Sequence, residues 1–267
     1  MIRLRLTPAG AAGRGEGHRM LSYYNGLKSE LAQMRAQLRN DRACRNAFLV
    51  IMGAALLLLG LTVLRDLFRA EGVRMPADHM FSLTEDGALP EIFMYVVEFI
   101  CAAACLYSFG KTGKKAFLFF ALLFGFITFD DSFSYHERLG EVIEHSLQRY
   151  GLSKGAEDIG ELVAWGIAGI LFLPPLAWCL LRMQKDELGI YLVFALVFAG
   201  LVFFAVGMDL IHSVTKIVFD RNDHLVKLLR QALGRIEDGG ELLMVSLAAC
   251  TAVLYARRGS PQADPKV

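Results

Sequence analysis

Proline and cysteine are both scarce, with 7 and 5 respectively in 267 residues. Such low proline excludes extended proline-rich linkers. The few cysteines contain no C-x-x-C pair, which excludes a disulfide framework and zinc-finger spacing. Phosphate-cradling glycine loops and the dinucleotide fingerprint are absent as well. A formal net charge of only +1 leaves no excess of positive charge for nucleic acid, which is excluded as a partner. What the chain has instead is apolar surface. It is 55% hydrophobic with a mean hydropathy of +0.42, too apolar for an ordinary soluble domain.

The apolar residues gather at 47–64, 92–109, 116–129, 162–181, 189–208 and 242–256. Each reaches or approaches the roughly 20 residues that a helix needs to cross the hydrocarbon core. Backbone in lipid must close its own hydrogen bonds, so all six are predicted to be helices. Pro174-Pro175 should kink the fourth. The fold class is therefore all-α, a bundle of six transmembrane helices.

Charge orients the bundle. The segments 1–46, 110–115 and 256–267 carry an excess of Lys and Arg, and 182–188 is balanced; the connections 65–91, 130–161 and 209–241 hold eleven basic residues against twenty acids. By the positive-inside rule the first group is cytoplasmic. The expectation is three exoplasmic helical hairpins with both termini in the cytoplasm, in a bacterial inner membrane. No cleavable signal sequence is evident, since the first apolar block starts near residue 47 and is long enough to stay as an anchor.

Residues 1–19 read as a disordered tail, 20–46 as a cytoplasmic amphipathic helix, 47–256 as the six-span domain and 257–267 as a cytoplasmic tail. Tyr24, Leu27, Leu31, Met34 and Leu38 fall at a/d spacing in an otherwise charged segment. Homo-oligomer formation through residues 21–45 and a basic helix lying on anionic membrane lipid fit this pattern equally. His224 to Ile236 has the period of an interfacial helix, and Ser132 to Tyr150 should continue the third span outward until Gly151 ends it.

The return stroke of each outer connection carries acids just before a span. These are Glu85-Asp86 with Glu91, Glu157-Asp158 with Glu161, and Glu237-Asp238 with Glu241, the last two as E-D-x-G-E-L. Acids suit helix N-termini through the macrodipole alone, but Glu161 and Glu241 sit a turn further in. The third span ends in Asp130-Asp131 with His136-Glu137 following, and the fifth in Asp209-Leu210-Ile211-His212, which places Asp209 and His212 on one face. Asp131 and His136 are about 140° apart round an unbroken helix at about 100° per residue, so only local unwinding lets both face inward. Glu98, two turns inside the second span, should face the bundle interior.

The string Asp130-Asp131 with His136-Glu137 at the end of an apolar span resembles a D-[DE]-x4-H-E pattern of multi-pass bacterial membrane proteins, from which no activity transfers. Membrane hydrolases related to alkaline ceramidase also unite Asp, Ser and His in a helical bundle. The present chain lacks their three-histidine pattern with its H-x-x-x-H pair.

Convergence of Asp130, Asp131, His136, Glu161, Asp209, His212 and Glu241 at one depth would suit a divalent metal, Mn, Fe or Zn. Such a site acts on a lipid-borne substrate, in the manner of a hydrolase, by activating water and polarising an ester, amide or phosphate oxygen. Two other classes fit the same residues. One is a cation or proton pathway with an acidic outer vestibule and Glu98 as its deep relay. The other is a membrane sensor or scaffold without catalytic activity, signalling to the N-terminal helix.

Overall fold

The computed structural model describes residues 10–74, 77–151, 156–182, 184–219 and 224–258; side chains of 10–22, 157, 158, 161, 176, 180, 185, 209, 213, 216–218 and 224 fall outside that description. Every regular element among the described residues is helical. In chain order these are α1 (Gly10–Asn40), α2 (Arg42–Ala70), α3 (Leu89–Thr112), α4 (Lys115–Phe133), α5 (Tyr135–Arg149), α6 (Ala156–Leu181), α7 (Leu188–Val202), α8 (Asp209–Val218) and α9 (His224–Arg257). A 3-10 turn at Asp78–Phe81 precedes α3, and a π-helical turn at Phe203–Met208 joins α7 to α8. Six helical stretches are long and apolar enough to cross a membrane, which supports an integral membrane protein.

Local chemistry explains most junctions. Asp41 caps α2, its Oδ1 accepting from the amides of Ala43 at 2.8 Å and Cys44 at 3.2 Å, so α1 and α2 are separated by a single residue. Pro90 opens α3, and Gly113 in the left-handed region at φ +68° closes it, with its amide donating to Phe109. α4 starts on a borrowed cap. The buried Glu187 accepts from the amide of Ala116 at 3.0 Å, reaching from a connection 71 residues away.

α9 is the centre of the bundle. Its apolar window is 67% buried against 17% for α2, and it packs on α2, α3 and α7. Small residues at Ala248, Ala249, Cys250 and Ala252 let its neighbours approach closely. Beside them a chain of rings runs through Phe120, Phe194, Tyr255 and Phe117, with centroids 4.7, 5.6 and 5.3 Å apart. α2 exposes Leu49, Leu56, Leu57 and Leu67, as lipid-facing surface requires.

Three features depart from the sequence-based expectation. First, His224 to Ile236 and the last span form one continuous helix through Gly239-Gly240. A Cβ on Gly240 would lie 2.1 Å from the Phe204 ring, so this glycine serves close packing and not a break. The apolar face at Leu225, Leu228, Leu229 and Ile236 is exposed. Second, helix extends back to Gly10, into the stretch expected to be disordered, because adding turns to an existing helix costs little. Within α1, Leu27, Met34 and Leu38 pack onto the core, while Tyr24 and Leu31 are exposed. Third, the helix expected to run from the third span to Tyr150 breaks at Ser134.

Candidate functional site

Ser134 builds the site. It adopts φ +48°, ψ +45°, the left-handed conformation, which an L-residue other than Gly or Asn seldom takes. This single residue redirects the chain between α4 and α5. His136 is thereby swung back over the last turn of α4, and the angular conflict with Asp131 on an unbroken helix disappears.

Asp130 fixes the imidazole. Its Oδ1 accepts from the backbone amide of His136 at 2.9 Å, and its Oδ2 lies 2.8 Å from Nδ1 of the same residue. Asp130 is 1% exposed and His136 22%. The ring centroid of Trp165 on α6 lies 5.1 Å from that of His136. Trp165 is held there because α5 and α6 cross closely: a Cβ on Gly160 would fall 2.4 Å from the carbonyl oxygen of Gly140. Burial by itself would weaken the hold of His136 on its proton. The hydrogen bond and charge of Asp130 outweigh that, and the pKa rises above its ordinary 6.5.

Asp130, Asp131 and His136 each offer a ligand atom within 4.8 Å of the others. Asp131 and His136 face a cavity of about 520 Å³, together with Glu91, Glu137, Glu237, Asp238 and Glu241, whereas Asp130 does not line it. Two of the three acidic return strokes, Glu85-Asp86-Glu91 and Glu237-Asp238-Glu241, thus border one space. Glu91 accepts from the Tyr95 hydroxyl and from the Gly87 amide.

A second cavity, about 460 Å³, adjoins the first. Met94, Asp131, Leu162, Trp165, Ala205, Val206 and Glu241 border both. Its other walls are apolar except for Glu98, which is fully buried and whose two carboxylate oxygens have no hydrogen-bond partner among the described residues. Asp131 and Glu241 line the same cavity as Glu98.

The remaining expected ligands are placed as follows. Glu241 stands at the junction of the two cavities. His212 lies elsewhere, with Nδ1 3.7 Å from Glu237 Oε2, beside a third cavity of about 360 Å³ that it shares with Arg65, Arg69, Arg230 and Arg235. Glu161 falls in α6 and Asp209 begins α8, and both side chains lie outside the described residues.

Sequence reasoning missed the group that closes this end of the bundle. Arg65, 5% exposed, reaches Glu85 at 2.9 Å, Asp66 at 3.5 Å and Asp78 at 3.5 Å. Arg69 reaches Asp78 at 2.5 Å and Arg235 reaches Asp66 at 2.7 Å. These pairs tie the 71–88 connection to α2, and α2 to α9. Their signal was an arginine pair one turn apart at the end of an apolar span, followed by acids. Trp165 gave no signal beyond its type.

Buried carboxylates beside an oriented imidazole, opening on a cavity of ligand size, have the donor chemistry for a divalent cation or for general acid and base catalysis. Neither a curated protein nor a solved structure matches the chain. A family match covers 91–256, which takes in every residue of the Asp–His group, Glu98 and Glu241 and leaves α1 and α2 outside. The chain belongs to that family, described as a domain of unknown function, DUF8692.

Proposed function

We propose that the protein binds a divalent metal, Mn, Fe or Zn, at the Asp130, Asp131 and His136 group and acts as a hydrolase-like enzyme on a lipid-borne substrate. The observation that carries this reading is the convergence of those three residues within 4.8 Å at a buried end of α4. Asp130 is taken up by the amide and Nδ1 of His136 and so serves as the residue that orients the ring, leaving Nε2 as the remaining imidazole donor. Asp131 and His136 then present ligands to the larger cavity, with Glu241 next to them. A metal held there supplies an acidic water and polarises an ester, amide or phosphate oxygen. The charge distribution of the sequence supports both termini on the cytoplasmic side of a bacterial inner membrane, with the Asp–His group near the outer face.

Elemental analysis of purified protein equilibrated with Mn, Fe or Zn tests the reading. About one ion per chain is expected, lost in Asp131→Ala and His136→Ala and retained in His212→Ala. Substoichiometric metal in the unaltered protein overturns it.

One observation favours a second reading. Glu98 is buried without a hydrogen-bond partner among the described residues and lines the same cavity as Asp131, as a relay in a proton or cation pathway would. Ion flux into proteoliposomes that disappears in Glu98→Gln supports transport, and flux unchanged by that substitution removes it.

A further inference from the structure

We propose that the apolar cavity between α6 and α7 receives one hydrocarbon chain of a membrane amphiphile whose polar end lies in the acid-lined cavity above it. The placing of the polar end rests on the metal-site reading; the chain site does not.

α6 and α7 are consecutive spans joined by 182–187. Such a short connection makes antiparallel neighbours that ordinarily pack along their length. Here they make little direct contact, α6 resting on α5 and α4 while α7 rests on α9 and α1. The cavity of about 460 Å³ lies between them, with Gly166, Gly169 and Phe172 on one wall and Leu201, Ala205 and Val206 on the other. The π-helical turn at Phe203–Met208 supplies Ala205 and Val206. Its wider coil sets this wall apart from a regular helix at the same depth.

The composition of the walls identifies the occupant. They belong to candidate membrane spans and are hydrocarbon over most of their extent. Away from Glu98, Asp131 and Glu241 a polar molecule would find no partners in these walls. Hydrocarbon does, since close contact on every side is what apolar walls need. Asp131 and Glu241 stand where this cavity meets the acidic one, and Glu98 lines the apolar cavity alone. An occupant matching both spaces has a long apolar part, a linkage that can hydrogen-bond and a polar head. Glu98, fully buried with neither oxygen partnered among the described residues, is placed to meet that linkage. The volume matches a site for one ligand of moderate size, which admits one chain. Moving a chain from lipid into the cavity yields no hydrophobic gain, because lipid is equally apolar. Affinity therefore comes from the polar end, and the chain site acts as a selector of shape.

The two tryptophans make this testable. Trp165 borders both cavities, while Trp178 lies beyond them, half exposed with Lys115 over its ring. Trp178→Phe protein, reconstituted in nanodiscs of phosphatidylcholine, is titrated with lysophosphatidylcholine brominated at mid-chain, and Trp165 emission is followed. The expected result is saturable quenching, severalfold greater at low mole fraction than that of Trp178 in Trp165→Phe protein. Gly169→Leu adds bulk at a cavity-lining position where a Cβ meets nothing within 4 Å. It should abolish the saturable component while metal content stays unchanged. Quenching that is proportional to bromolipid and unaffected by Gly169→Leu overturns the chain site. Equal saturable quenching by a brominated diacyl phosphatidylcholine overturns the limit to one chain. Metal content is measured on the same samples. Saturable quenching without metal fells the metal reading alone, and metal without saturable quenching fells the chain site alone.

Discussion

The two ends of the bundle differ in how their ionisable groups are partnered. At the end where α1 and the α3–α4 turn meet, charged groups are matched. Arg258 pairs with Glu30, Arg257 with Asp41 at 3.3 Å and Lys114 with Asp186 at 2.7 Å, while Glu187 caps α4. At the other end the Arg65 group is matched too, but it stands to one side. Of the carboxylates that border the cavities, both oxygens of Glu98 and Oδ2 of Asp238 lack hydrogen-bond partners among the described residues. Matched charge is architecture, and unmatched buried charge is maintained against its cost to stability. The difference sets the cavity end apart in a way that a count of acidic residues does not.

If that contrast is right, substitutions at the two ends should separate metal affinity from stability. The largest effect is expected at Asp131→Ala, where affinity for Mn or Zn falls more than about 100-fold with little change in thermal unfolding. Competition with a chelating dye measures it. Asp130→Asn, which leaves the cavity lining intact but loosens His136, should cost about 10- to 100-fold in the same assay. Glu187→Ala should do the reverse, lowering stability by about 2 kcal/mol through loss of a buried charged acceptor while metal affinity is retained. Denaturant unfolding in detergent reads the loss, and an equal loss of metal affinity would break the contrast.

A smaller effect tests the helix break. Ser134→Val should cost about 1 to 2 kcal/mol, because a β-branched residue resists the left-handed conformation, and should weaken metal binding with it. Ser134→Gly should retain both properties. Similar behaviour of the two variants would show that the backbone conformation at 134 is not what positions His136.

The smallest effect is a shift with pH. The pKa of His136 is raised, so its contribution to stability is fully present below the ordinary 6.5 and fades as pH climbs through the raised value. Metal binding has the opposite sign, since only neutral imidazole is a ligand. Affinity should therefore begin to fall on acidification while the pH is still above 6.5, and Asp130→Asn should move that fall to lower pH. A titration of metal affinity against pH in the two proteins decides it.

The spans were legible because lipid imposes a length and a composition on any helix that crosses it. The acids of the Glu237-Asp238-Glu241 stroke were legible for a related reason, since charge so close to a span is costly and conspicuous. Ser134 was not, because serine carries no signature for a left-handed turn and the flanking residues continue the helical pattern. Arithmetic on helical angle came nearest, by showing that Asp131 and His136 need an interruption between them. The Arg65 group and the Glu187 cap depend on partners that only the packed bundle brings together, and local pattern is blind to these.

The left-handed serine also bears on how the proposed metal would be acquired. Because Asp130, Asp131 and His136 lie within seven consecutive residues and are joined by contacts inside that stretch, their nucleus needs only α4 and the first turn of α5. It is complete more than ninety residues of synthesis before Glu241 emerges. A cation captured at that stage would find its later ligand delivered by the last helix to insert, so that loading and final assembly of the bundle become successive steps of one process.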